Sequence, residues 1–112
     1  MRFRVVLVPF PFDDLSGQKV RPAVCLTEAV GTHRHVVLAF ITSTVPTTLE
    51  PTDILLTPGT PEFVVTGLRV HSTLRLHRMV TVSAGMIRRQ MGVLSPSIQA
   101  QVKQRLGTLF DL

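Results

Sequence analysis

Apolar residues along this chain fall into short runs separated by turn signals. Val5–Phe10 is one such run, and the next strand, read over 22–27, holds Ala23–Leu26. Between them lie Pro11, the Asp13-Asp14 pair, Ser16-Gly17 and Lys19-Val20-Arg21. The stretch 5–27, VVLVPFPFDDLSGQKVRPAVCLT, therefore reads as two strands joined by a long polar loop, with Arg21 at the mouth of the second strand. Pro9 and Pro11 keep the first strand, 5–10, from continuing as a central strand. The loop exceeds what a hairpin needs, and loops of that kind commonly carry function. Residues 28–33, with Gly31, read as a turn. Residues 35–43, HVVLAFITS, read as a third, buried strand. A polar stretch with Pro46 and Pro51 follows, then a short strand over 52–57. Pro58-Gly59-Thr60-Pro61 marks a turn.

Residues 69–77 alternate. Arg69, His71, Thr73, Arg75 and His77 fall on one side of a strand, and Val70, Ser72, Leu74 and Leu76 on the other. The first face gathers cationic and titratable side chains, as a functional face or a merely solvated one would. Residues 79–82 continue the pairing after a bend, 83–90 suit a single helical turn, and Val93-Leu94 form a last short strand. Ser95 is a good helix N-cap and Pro96 suits the first helical position. Ile98, Val102, Leu106 and Leu109 recur at helical spacing, so helix 96–109 should pack on the sheet. Without linkers or repeats, residues 1–112 read as a single domain. The class is mainly β with a C-terminal helix, in a small antiparallel barrel; the pattern fits a sandwich equally.

Composition adds a partner. The 112 residues carry a formal net charge of +5 with 45% hydrophobic residues, too apolar for a disordered chain. Nearly all the cations are arginine, whose planar fork suits phosphate. The balance fits nucleic acid, an acidic peptide or simply a soluble basic surface. Cys25 is the lone cysteine, so no intrachain disulfide forms, and its apolar run implies a buried thiol. No secretory signal and no membrane-length apolar run are visible, which makes the cytoplasm the expected compartment.

The candidate chemistry narrows by elimination. His33, His35 and His71 with one cysteine match no known metal-ligand spacing, and neither a nucleophile elbow nor a phosphate-cradling glycine loop is present. No metal and no cofactor is expected. Arginine, histidine and hydroxyl groups remain. They suffice to cut RNA, whose 2′-hydroxyl is an internal nucleophile: histidine transfers protons near neutral pH, and arginine clamps phosphate oxygens.

The string V-L-V-P-F-P-F-x-D-L-S-G-x-K-x-R-P-A-V over residues 6–24 resembles the first signature of the MazF/PemK family of toxin endoribonucleases. Phe-Ile-Thr-Ser at 40–43 and S-T-L-R-L-H-R-M-V-T at 72–81 resemble later family segments. Residues 44–68 match poorly, and Phe3-Arg4 stands where the family usually holds Gly-Asp. The resemblance implies an SH3-like barrel of the MazF/PemK/CcdB kind with a C-terminal helix. It implies a homodimeric toxin that cleaves single-stranded RNA and is neutralised by a cognate acidic antitoxin. It assigns catalytic roles to Arg21, Thr42, Arg75 and His77, with Ser43 as a possible substitute for Thr42. Some members carry Asp at the place of His77, so its part is either general base or structural. Phe12, Lys19, Ser43 and Arg78 are the expected RNA contacts around them. Two other readings stay open: a gyrase-inhibiting toxin like CcdB, and a degenerate RNA-binding module.

Overall fold

The computed structural model describes residues 1–10 and 19–112. Six strands pair antiparallel in one sheet: β1 (Arg4–Phe10), β2 (Lys19–Cys25), β3 (His35–Thr42), β4 (Asp53–Leu56), β5 (Ser72–Ser83) and β6 (Arg89–Val93). Their order is β4-β5-β3-β2-β1-β6. Among the described residues there are also two helices, α1 (Pro61–Val64) and α2 (Pro96–Phe110), and a 3-10 turn, Ala84–Met86, that joins β5 to β6. The sheet curls into a half-barrel, so this short link spans strands that stand far apart in the sheet order.

Strand periodicity gives the sheet two apolar faces. Val6, Val8, Ala23, Cys25, Val36 and Leu38 form one buried cluster, against which Val80, Val82, Ala84 and Ile87 pack. The intervening residues Val5, Val24, Ala39 and Ile41 join Leu74, Leu76, Ile54 and Leu56 on the other face. Ile98 and Val102 of α2 cover that second layer, as the helical stripe predicts. Ser95 Oγ accepts from Ile98 N at 3.3 Å, the N-cap expected of it. None of the described helices is long and apolar enough to cross a membrane.

The differences from the sequence reading have local causes. β2 spans 19–25 rather than 22–27, so Arg21 lies inside the strand. Pro22 is tolerated there because β3 pairs with β2 only from Ala23 onward. Pro9 likewise lies beyond Leu7, where β6 stops pairing with β1. The strand read over 69–77 begins at Ser72. β4 and β3 end opposite Ser72 and Thr73, so residues 69–71 have no strand partner among the described residues, and Arg69 and His71 lie outside β5. β5 then runs unbroken through 79–82 to Ser83. The turn predicted over 83–90 shrinks to three residues, because Arg89 and Gln90 pair with Leu7 and Val6 and lengthen β6 to 89–93. Leu94 lies outside that strand. The short helix α1 is an addition, capped by Thr60 Oγ1, which accepts from Phe63 N at 3.3 Å. Its Thr-Pro start repeats the Ser-Pro start of α2.

The segment after α1 runs against β6. Val93 N donates to Val65 O at 2.9 Å. A Cβ at Gly92 would lie 2.2 Å from Val65 O, and one at Gly67 2.2 Å from Met91 O. Two glycines are therefore required for this approach, and Gly67 also needs its φ of +75°.

Candidate functional site

The register between β3 and β5 breaks at one place. Ala39 faces Met79 and Ile41 faces Leu74, so two steps along β3 match five along β5. The surplus chain, residues 75–78, bulges opposite Phe40, and such a bulge re-aims side chains away from the regular pleat. Here it turns Arg75 and Arg78 toward Arg21 on β2 and Thr42 at the end of β3. A cleft of about 40 Å³ results, lined by Arg21, Phe40, Ile41, Thr42, Arg75 and Arg78.

Each side chain is held from a different element. Arg21 pairs with Val8 across β1–β2, two residues before β3 joins the sheet. Thr42 is the last residue of β3, and its Oγ1 accepts from Thr44 N at 3.1 Å, which turns the chain out of the strand. Arg75 is forked by Asp53 on the neighbouring strand: Nε donates to Oδ1 at 3.2 Å and Nη2 to Oδ2 at 3.3 Å. Among the described residues, three guanidinium groups gather at the cleft with the one carboxylate of Asp53.

Of the residues singled out in the sequence, Arg21, Thr42, Arg75 and Arg78 meet in this cleft. His77, two residues after Arg75, does not line the cleft; its Nδ1 lies 3.9 Å from Asp53 Oδ1. Lys19, at the start of β2, and Ser43, just past β3, are exposed and outside the cleft lining. Phe12 lies outside the described residues. Asp53 escaped the sequence reading, although it is fully buried. The only signal was a carboxylate heading an otherwise apolar strand, Asp-Ile-Leu-Leu. Phe40, a wall of the cleft, was legible only as part of a buried strand.

Cys25 stands apart from this chemistry. It is buried in the first apolar face, and burial pushes its thiol up to about 11. The thiol is therefore neutral and unreactive near pH 7.

The profile of the PemK-like, MazF-like toxins of type II toxin–antitoxin systems matches residues 1–110. The chain belongs to this family. Solved structures agree on the fold. The Mycobacterium tuberculosis toxin MazF-mt6 superposes with a TM-score of 0.73 at 24% identity, covering 97% of both chains. A MazE-MazF crystal structure (Form-III) from Deinococcus radiodurans gives 0.71 at 20% identity, over 99% of this chain and 95% of that one. An endoribonuclease in complex with its cognate antitoxin, from Mycobacterial species, gives 0.68 at 18% identity, over 100% and 95%. A search of curated protein sequences finds no match. The family's barrel with one closing helix is thus the architecture described above.

Proposed function

We propose that this toxin is an endoribonuclease that cuts single-stranded RNA by transesterification, without a metal ion. The observation that carries the reading is the meeting of Arg21, Thr42, Arg75 and Arg78, from three strands, in one cleft. Separate solvated cations would have no reason to converge around a strand-end hydroxyl.

In the proposed reaction the scissile phosphate sits between Arg21 and Arg75. The 2′-oxygen attacks phosphorus as His77 takes its proton, and the bond from phosphorus to the 5′-oxygen breaks. The departing 5′-oxygen receives the proton back from the imidazolium through water. Arg21 and the Thr42 hydroxyl donate to the non-bridging oxygens as charge builds. Guanidinium stays charged across the working pH range, so the part of Arg75 is electrostatic stabilisation of the phosphorane and leaving oxygen. The products are a 2′,3′-cyclic phosphate and a free 5′-hydroxyl. Arg78, Lys19 and Ser43 would extend the contact to flanking nucleotides, with Phe12 offering a stacking face.

The relatives seen in complex with antitoxins support a cognate antitoxin for this chain, and the three arginines of the cleft fit an acidic one that orders on binding. A homodimer and a cytoplasmic site of action complete the reading.

The test is incubation with a long single-stranded RNA in EDTA, with and without a 2′-deoxy substitution at the mapped cut. Cleavage in EDTA that the single deoxy sugar blocks is the expected result. Cleavage of the deoxy substrate removes the 2′-hydroxyl as nucleophile. Intact RNA, together with inhibited gyrase supercoiling, points instead to a protein-directed toxin.

A further inference from the structure

Asp53 has more contacts than a strand-end residue needs. Its side chain is inaccessible to solvent. A carboxylate taken out of water is tolerated only when well paired. Asp53 meets that demand with the fork to Arg75 and with Oδ2 accepting from Glu50 N at 2.8 Å. The backbone beneath it is pinned from α2: Arg105 Nη1 donates to Pro51 O at 2.7 Å and to Asp53 O at 3.0 Å. The carboxylate is therefore fixed before any ligand arrives.

The edge of Arg75 that Asp53 occupies matters. Nε and Nη2 form one side of the guanidinium, and the fork consumes it. The remaining side carries near-parallel N–H groups on Nη1 and Nη2, which match two oxygens of one phosphate. An arginine without such an anchor could offer either edge, or swing out to solvent. Asp53 also sits opposite Arg75 in the β4–β5 register, so the anchor is built into the strand pairing.

We propose that Asp53 is a positioning residue: it selects the Nη1/Nη2 edge of Arg75 for the scissile phosphate in the cleft. This rests on the nuclease reading above. A residue that only capped the 50–53 turn would stabilise the fold and leave turnover per folded molecule unchanged.

The experiment compares wild type, Asp53→Asn, Arg75→Ala and the double variant, on an oligoribonucleotide spanning a mapped cut. Asp53→Asn should lower kcat on the order of tenfold to a hundredfold while KM stays within about twofold, because the loss falls on the transition state. In the Arg75→Ala background the same change should cost nothing more, because the two residues act as a unit. Free guanidinium should restore part of the activity of Arg75→Ala but not of the double variant. An Asp53→Asn protein with wild-type kcat, or losses that simply multiply, would overturn the proposal. If Asp53→Asn does not fold, the wild type still decides. The Arg75 Nε–H, identified by its loss in Arg75→Lys, should give a protected NMR signal at neutral pH, and its absence overturns the proposal. A wild type that cuts no RNA defeats the nuclease reading itself; a cutting wild type with an indifferent Asp53 defeats only this inference.

Discussion

The two halves of β5 make a useful contrast. Thr73 and Leu74 lie between two strands: Leu74 pairs with both Ile54 and Ile41, and Thr73 with both Leu55 and Thr42. Residues 79–83 pair with β3 alone, because β4 reaches only from Arg75 to Ser72. Arg75 follows the doubly bonded pair and keeps its β4 partner, Asp53, at the point where β3 no longer pairs, whereas the singly bonded half contributes Val80 and Val82 to the first apolar face. The bulge separates the two. The cleft residue is thus carried at the end of the doubly bonded stretch, opposite the carboxylate that forks it, whereas side chains that only exclude water are carried by a single pairing.

Truncation should separate the halves most sharply. Leu74 is fully buried, and Leu74→Ala should cost about 2–5 kcal/mol. Val82 is half-buried, so Val82→Ala should cost clearly less. Urea denaturation with a shared m-value measures both, and equal losses would erase the contrast. Next in size, Arg75→Ala and Arg21→Ala should each lower turnover on the order of a hundredfold or more. The melting temperature of Arg21→Ala should stay near wild type, that of Arg75→Ala should fall because Asp53 is left buried without its partner, and Thr81→Ala, on the exposed side of the other half, should change neither turnover nor melting. A smaller effect follows from His77→Ala, which should lower turnover without moving the melting temperature, since His77 is exposed and outside the cleft lining.

The smallest effect shows only at alkaline pH and reports on the singly bonded half. Cys25 pairs with Leu38, which in turn pairs with Val80. Burial raises its pKa from 9.0 to about 11. The folded state therefore holds the thiol proton more tightly than the unfolded chain. That contribution is complete below pH 9.0 and is lost as pH rises toward about 11. Cys25→Ser should remove this alkaline decline from a stability–pH curve. In the wild type, labelling of the native thiol should be slow and should quicken in Val82→Ala more than its stability loss alone explains.

The strands and α2 were legible because their signals are local: apolar runs, punctuation by Pro and Gly, and a Ser-Pro cap ahead of a helical stripe. Arg21, Thr42 and Arg75 were legible through motifs, and their meeting is now visible. Asp53 was not, because its importance depends on register. Only the pairing of β4 with β5 sets it opposite Arg75. The bulge was only half visible: the adjacent polar pair His77-Arg78 breaks the alternation and marks a bend, but nothing in the sequence says that β3 skips residues 75–78. The early end of the alternation at Ser72 reflects the lengths of β3 and β4, which no residue in 69–71 encodes.

The seam beside β6 bears on how these molecules behave in company. β6 closes one margin of the sheet, and its polar backbone would otherwise invite a strand from another chain. The 64–67 segment occupies that margin, with Val65 O taking the Val93 N–H. Its hold depends on the absence of side chains at positions 67 and 92. A bulky residue at either would push the segment away and bare both the strand and the neighbouring valines, Val64, Val65 and Val93, which are already partly in water. The visible fault would be precipitation that worsens with concentration, and the two glycines thereby guard solubility as much as shape.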